Sequence, residues 1–427
     1  MTSRIPLTLT ALLLLSAGLI GAAANPNNET IETVPVVPVP PGEEVKLPVA
    51  KPAQPVVEVC FVLDTTGSMS GLIAGAKKKI WDIANHILSG NPRPKVRFAL
   101  VPYRDKGDAY VTKVFQMTDN IDQIYTDLMK FQAQGGGDGP ENVNQGLHDA
   151  ITKVQWSAEK TTLKIIYLVG DYPPHNEYTD VPTYDKLAKS AITKGIYINT
   201  VLCGSNAATK KVWMEISRAA EGSFIALKQD GGVKDIATPY DKKLAEYNTK
   251  LMKTAMAYGT AEKRKRQEEL NVGAEKMADK VADEPKAAMR ASVVAKTGTV
   301  ASNDLLDAVT DKDGKLDDGL LKEFNQKENV AKLPEELQGK TIAEQKVIIT
   351  ANQTKRTQLL KEAAELTKKR DAYVRTKLVP GSTGFDVEVV RSLQDQAARK
   401  GIHYKPITPE KPATKPAAKT PATTLKK

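Results

Sequence analysis

The sequence predicts a doubly wound α/β domain, with a mostly parallel sheet and helices on both faces, followed by a mainly α-helical C-terminal region. Three observations predict this class. Short apolar runs rich in β-branched residues recur between residues 56 and 237. Helix-length segments separate these runs, and strands that are apolar throughout are typical of a sheet covered on both faces. Beyond residue 237 the composition becomes rich in Ala, Glu, Lys and Gln, which favours charged helices.

The N-terminus has the pattern of a secretory signal peptide. Arg4 precedes an apolar run from Leu7 to Ile20, and three alanines at 22–24 provide small residues for cleavage. We therefore expect an exported protein, periplasmic, extracellular or held at the cell envelope, with a signal peptide over 1–24; an uncleaved membrane anchor is the alternative. Residues 25–55 carry a proline every few positions and are expected to form an extended linker.

The α/β domain is predicted over residues 56–237. Cys60 and Cys203 each lie inside an apolar run, so buried thiols are favoured over a disulfide. Trp81, Trp156 and Trp213 lie in helical segments and are expected to anchor helices on the sheet. The predicted strands are VVEVCFVL, VRFALVPY, LKIIYLVG and IYINTVLCG, and the main predicted helices are Leu72–Leu88, Asn142–Trp156, Tyr184–Lys194 and Ala208–Ala220.

Residues 238–404 are predicted to form a helical, coiled-coil-like region. Tyr240–Ala282 and Thr341–Leu378 have the composition of long charged helices, separated by the sparse stretch Glu284–Leu333. A helical hairpin packed on itself or on the α/β domain is favoured over a dimeric coiled coil, and the oligomeric state stays open. Residues 310–317 are similar to a calcium-binding loop but lack its first and last ligands, so a polar turn is expected.

The basic charge of the chain is concentrated at its end. Formal charge is +10, yet the tail from Lys405 to Lys427 holds six lysines and one glutamate. This low-complexity tail (405–427) is expected to be disordered. We expect the tail to be surrounded by solvent, and contact with an anionic envelope surface is the alternative. No basic face interleaved with aromatic residues is visible, so nucleic acid is not an expected partner.

Oxygen-bearing side chains lie in three loops, two of which directly follow predicted strands. Asp64, Thr66 and Ser68 alternate directly after the first strand, and alternation in extended chain directs all three to one side. The loop QGGGDGPENVNQG (134–146) and Asp171 are expected at the same edge, where ligands of open α/β sheets bind. Oxygen-only donors favour Mg²⁺, with Mn²⁺ or Ca²⁺ as alternatives.

These residues resemble the von Willebrand factor type A family, whose metal-ion-dependent adhesion site has the pattern D-x-[ST]-x-S. Asp64-Thr65-Thr66-Gly67-Ser68 matches all its ligand positions. Glu141 stands where the family usually has Thr, as in the integrin β-subunit form, which also carries a D-x-P-E arrangement like that from Asp138 to Glu141. Asp171 matches the third ligand loop.

The resemblance implies a divalent ion held by these residues and completed by an acidic oxygen of a partner protein or other ligand. Glu141 adds negative charge, which is expected to tighten metal binding and to reduce the attraction for a partner's carboxylate. Asp138 is expected to support the ligands or a neighbouring Ca²⁺. Ser70, Tyr172 and His175 are candidates for the rim that contacts the partner.

Enzyme classes with related motifs fit poorly. An aspartic protease needs its glycine one position before Gly67 and a second copy of the motif, and a haloacid-dehalogenase phosphatase needs Asp where Thr66 stands. A serine hydrolase needs G-x-S-x-G, but Met69 is central in GSMSG. The predicted function is a non-catalytic, metal-dependent binding protein. The alternatives are a structural envelope protein that assembles through its helices and tail, and a hydrolase using Asp64 and Asp171.

Overall fold

A computed structural model describes residues 54–137, 139–228, 236–277, 284–311, 314–377 and 385–404. The predicted signal peptide and tail, and all but the last two residues of the predicted linker, lie outside these ranges. The described residues contain a six-stranded sheet in the order β3-β2-β1-β4-β5-β6, in which only β3 runs antiparallel to its neighbour. Its strands are β1 Val56–Asp64, β2 Lys95–Tyr103, β3 Phe115–Thr118, β4 Leu163–Gly170, β5 Ile196–Cys203 and β6 Phe224–Leu227.

Five helices alternate with the strands, so the doubly wound α/β prediction is confirmed. Asn120, Asn142 and Asn206 begin three of them, each accepting a hydrogen bond from the backbone N–H three residues on. The helices are α1 Ser70–Ile87, α2 Ile121–Met129, α3 Val143–Thr152, α4 Tyr184–Thr193 and α5 Ala207–Ala219. Trp156 was expected on α3, but that helix ends at Thr152, and the Trp156 indole donates to Ala150 O, 2.8 Å away.

The central strand β1 shows why the sheet needs cover on both sides. All its residues except Val56 are buried. Phe61 and Leu63 face one apolar core with α1 and α2, whereas Cys60 and Val62 face a second core with α3, α4 and α5. Both cysteines are buried thiols.

The C-terminal region is helical, as predicted, but its elements differ in detail. They are α6 Asp241–Met252, α7 Ala261–Lys276, α8 Glu284–Thr297, α9 Leu305–Val309, α10 Asp318–Phe324, α11 Ile342–Lys377 and α12 Phe385–Ala398. The prediction of one continuous helix over Tyr240–Ala282 is wrong. Gly259 interrupts it at φ 113°, and the Thr260 hydroxyl starts α7 by accepting from Lys263 N. Helix α11 agrees closely with the predicted Thr341–Leu378.

Helix α12 completes the sheet domain from far along the chain. It packs beside α1, and Val389, Leu393 and Ala397 join the first core. Buried polar contacts define its position: Tyr167 Oη donates to Val389 O at 2.9 Å, and the amides of Asn199 and Gln396 exchange two hydrogen bonds. The domain limits of 56–237 stay a prediction, but residues outside them cover one face of the sheet.

Helices α6, α8 and α11 pack on one another within the chain. The coiled-coil dimer stays an untested alternative to this packing. None of the described helices combines the length and the apolar character needed to cross a bilayer.

Candidate metal site at the carboxyl edge of the sheet

Asp64 ends the central strand and is fully buried. Its Oδ1 accepts hydrogen bonds from Thr66 N at 2.8 Å and Thr66 Oγ1 at 2.6 Å, while its Oδ2 is buried with no hydrogen-bond partner. Ser68 Oγ lies 3.5 Å from Thr66 Oγ1. The motif therefore places the Thr66 hydroxyl on the Asp64 carboxylate and the Ser68 hydroxyl beside that of Thr66.

Glu141 is brought to the same place by a backbone connection between two loops. Its N–H donates to Pro173 O at 3.0 Å, and its carbonyl accepts from His175 N at 3.1 Å. The Glu141 carboxyl is within hydrogen-bond reach of the Thr66 side chain, and its Oε2 is buried without a hydrogen-bond partner. The loop after β4 thus positions the acid that the sequence placed on a different loop.

Gly136 shows how closely these loops approach each other. It has φ 77°, and a Cβ added there would lie 3.0 Å from Thr66 Cβ and 3.1 Å from Glu141 Oε1. Any larger residue would need both a left-handed backbone and displacement of the ligand loops. The glycine run of the sequence is therefore required by packing at the site.

Asp171 follows β4 and lies close enough to Asp64 for its negative charge to raise the pKa of the Asp64 carboxyl. Thr209 on α5 donates to Asp171 O at 2.9 Å and so holds its backbone. Beneath them, Gly170 permits close packing, because an added Cβ would lie 2.4 Å from Tyr103 Oη. Two carboxyls that follow strands and one from the loop before α3 are thus gathered at one edge of the sheet.

The pKa values of Asp64 and Glu141 are raised because the two carboxyls are buried. Loss of hydration is the largest effect and raises the pKa of Asp64 to about 7, against the opposing hydrogen bonds from Thr66. Burial, followed by repulsion from Asp64, raises the pKa of Glu141 to about 9. A divalent cation would relieve both effects, since it supplies opposite charge where water is excluded.

The donor set fits a hard cation only if hydroxyls take part. Among the described residues, no group of three His, Cys, Asp or Glu side chains is arranged to hold a metal ion by itself. Thr66 and Ser68 oxygens, water or a partner's oxygen would complete the shell, as suits Mg²⁺. Asn144 on α3 adds a further buried acceptor without a hydrogen-bond partner, its Oδ1.

The predicted rim residues are placed differently from one another. Ser70 is exposed at the start of α1, and Tyr172 packs beside Gly139. His175 is buried, with Nδ1 2.5 Å from Glu177 Oε1 and Nε2 3.4 Å from Asp105 Oδ2. Asp138 lies outside the described residues. The assignment of metal ligands stays a prediction.

The loop after β2 also reaches the site, although sequence reasoning did not include it. Asp105 is buried with its Oδ1 unpartnered, and Asp108 accepts from Gly136 N at 3.2 Å. Arg104 is buried nearby, but its guanidinium donates to the carbonyls of Thr65 and Gln132. Two aspartates three positions apart after the strand VRFALVPY were the signal for this loop.

This geometry defines a class: a doubly wound domain whose carboxylates and hydroxyls meet at the carboxyl edge of its central strands. Residues 58–232 match the family model described as von Willebrand factor A domain. We conclude that this part of the chain is a von Willebrand factor A domain.

Relatives match the chain over short stretches. The human von Willebrand factor A domain-containing protein 7 is 39% identical over 23% of this chain and 10% of its own length. The bovine N-acetyltaurine hydrolase is 29% identical over 22% of this chain and 26% of its own length. Proximal thread matrix protein 1 from the mussel byssus superposes with a TM-score of 0.33 and 17% identity, over 42% of this chain and 43% of that protein.

Proposed function

We propose that the protein is a metal-dependent binding module of the adhesion type, without catalytic activity. One observation carries the proposal: Asp64 Oδ2 and Glu141 Oε2 are buried at the sheet edge without a hydrogen-bond partner. Buried acceptors are normally satisfied, and a buried carboxylate without a cation is costly. A bound cation is the simplest group that satisfies both.

In this proposal Asp64, Thr66, Ser68, Glu141 and Asp171 hold Mg²⁺, or Mn²⁺ or Ca²⁺, directly or through water. An acidic oxygen of a partner completes the coordination shell. Three carboxylates exceed the charge of one divalent ion. We therefore expect tight metal binding and a modest attraction for the partner's oxygen, with contacts around the rim supplying the rest of the affinity.

We also propose that the protein is exported, where it would meet divalent ions and extracellular partners without access to ATP. This proposal rests on the N-terminal sequence pattern alone. Secretion into growth medium or envelope, followed by N-terminal sequencing of the mature chain, tests both the export and the cleavage near residue 24.

Calorimetric titration of the full chain with MgCl₂ and MnCl₂ tests the metal site, with Asp64→Asn as the variant. The variant keeps an oxygen that accepts from Thr66 but loses the charge. We expect saturable one-site binding by the parent and none by the variant. Equal binding by both proteins would contradict the proposed ligands.

The binding role is tested by capture of envelope proteins on the immobilised chain, with Mg²⁺ or with chelator. A partner retained only with Mg²⁺, and not by Asp64→Asn, supports the proposal. A partner lost on deletion of residues 240–427 but retained by Asp64→Asn would favour the structural envelope role. Metal-dependent turnover of an acyl or amide substrate that disappears in Asp64→Asn would favour the hydrolase.

A further inference from the structure

Helix α7 is thinly packed for its length. Of its 16 residues, Ala261–Lys276, only Gln267 and Ala274 are buried. A helix in a globular protein gains most of its stability by burying one face against its neighbours. The side of α7 that faces α2 is therefore available for additional packing.

A cavity of about 580 Å³ lies between α7 and α2 and touches the start of α8. Its apolar lining comes from Tyr125 and Met129 on α2 and from Leu270 and Met277 at α7. Met129 is 47% exposed, which is high for a methionine beside a core helix. Methionine is common on surfaces that adapt to a bound helix.

Gly273 keeps this cavity open. It lies inside α7 and lines the cavity, and a Cβ added there would meet no atom within 4 Å. Glycine inside a helix is less stable than alanine, although alanine would fit here. Glycine at this position thus leaves the groove accessible at the expense of helix stability.

The charges around the cavity are mainly basic. Lys130, Arg266, Lys276 and Lys286 line it, against two acids, Asp122 and Glu269. Asp122 is already held by Arg290, whose Nε and Nη2 lie 2.7 and 2.6 Å from its two oxygens, and Lys130 is paired with Asp127 at 2.9 Å. Arg266, Lys276 and Lys286 then stand against Glu269. The rim therefore has an excess of positive charge, which favours an acidic occupant.

We propose that this α2–α7 groove binds an acidic amphipathic helix of a partner protein. Helix α7 is about 24 Å long at 1.5 Å per residue, so it matches four to five turns of an incoming helix. Apolar side chains of that helix, spaced at i, i+3/i+4 and i+7, would lie on Tyr125, Leu270 and Gly273. Its flanking Glu or Asp side chains would face the lysines.

The groove ends near the metal edge. Lys77 Nζ donates to Met129 O and Phe131 O at the end of α2, and Gln134 N donates to Thr65 O beside Asp64. One partner can thus reach both places. The groove itself needs no metal, so its test can fail or succeed independently of the proposed metal-dependent function.

The probe is a fluorescent 18-residue peptide with Leu at helical spacing and Glu on the flanks, titrated with the full chain by fluorescence anisotropy. We expect saturable binding that persists in chelator. Gly273→Phe, which fills the groove, should weaken it at least about tenfold. Gly273→Ala is the matched control and should bind nearly as the parent, with a higher melting midpoint.

Charge exchange provides the second arm. The double variant Lys130→Glu, Lys276→Glu should no longer bind the Glu peptide. It should instead bind a peptide that has Lys in place of Glu. Equal binding of the two peptides by the parent, or an unchanged curve for Gly273→Phe, would overturn the proposal. So would a dimer of the chain in sedimentation that Gly273→Phe dissociates, because the occupant would then be a second copy.

Discussion

Two regions of this molecule bury carboxylates, and the groups that surround these carboxylates differ. In the C-terminal region, Asp304 is fully buried and lies 2.5 Å from Arg356, and Asp241 accepts from Arg370 at 2.8 Å. At the edge of the sheet, Asp64 and Glu141 are equally buried. There the nearby Arg104 donates to backbone carbonyls instead.

The difference separates structural acids from functional ones. A buried charge is expensive unless it is paired, and the helical region supplies each pair from its own chain. The sheet edge does not, so its acids either retain protons or take a cation from solution. The same residue type is therefore paired with arginine in one region, whereas in the other it is left, in the proposed function, for a metal ion.

The largest effect is expected from breaking a pair in the helical region. Arg356→Met should lower the free energy of unfolding by about 3–5 kcal/mol, because it leaves Asp304 buried and unpaired. Urea denaturation measures this. Lys368→Met on the same helix is the control, since its pair with Glu365 is exposed and screened by solvent, so its loss should be much smaller. Equal losses would show that Arg356 is not a buried partner.

The opposite result is expected at the metal edge. Asp64→Asn should leave the metal-free protein as stable as the parent or more so, because it removes a buried charge next to Asp171. Metal affinity should nevertheless fall about 100-fold or more, beyond what loss of an orienting neighbour causes. Calorimetry measures the metal affinity, and urea denaturation without metal measures the stability. A large loss of metal-free stability would make Asp64 a structural acid.

Metal affinity is expected to rise with pH. The folded-state pKa values of Asp64 and Glu141, about 7 and about 9, lie above those of ordinary carboxyls. Their contribution to stability is thus present below about pH 4 and is lost as pH rises through these values. Metal displaces their protons, so Mn²⁺ should bind at least about tenfold more weakly at pH 6 than at pH 8, with proton release. An affinity independent of pH would contradict buried carboxyl ligands.

The smallest effect is expected at His175. Its ring contacts Asp105 and Glu177 and stacks on Tyr178 at 4.4 Å between ring centroids. His175→Gln should therefore change Mg²⁺ affinity by less than about tenfold, the lower limit for residues that orient metal ligands. Calorimetry measures the Mg²⁺ affinity, and a larger change would place His175 within the metal site. A change in partner capture at constant metal affinity would support its place on the rim.

Much of the fold was predictable from local pattern. Runs rich in β-branched residues, such as LKIIYLVG, are typical of strands in a sheet that is covered on both faces. Helix starts were visible at Asn142, where a short polar side chain caps the backbone. The break at Gly259 and the return of α12 were missed, because a charged helical composition extends across both and carries no information on which face is covered.

The candidate site was partly predictable for the same reason. Asp64, Thr66 and Ser68 are adjacent in sequence, so their alternation is a local property of extended chain. Asp105 and Asn144 were missed because their importance comes from burial next to Asp64 and Glu141, and burial depends on the packing of separate loops. The Arg356–Asp304 pair was invisible for a similar reason, since 52 residues separate the partners.

By itself, therefore, the sequence determined the class of sheet, the strand ends that carry oxygen donors and the charged character of the C-terminal helices. These follow from periodicity and residue chemistry within a few turns of chain. Only the tertiary structure decided which acids are paired by arginine and which are left for a cation, how Pro173 and His175 hold Glu141, and that α12 covers the sheet. Each of these depends on contacts between segments that are far apart in the chain, and these contacts determine the free energy of burying a charge.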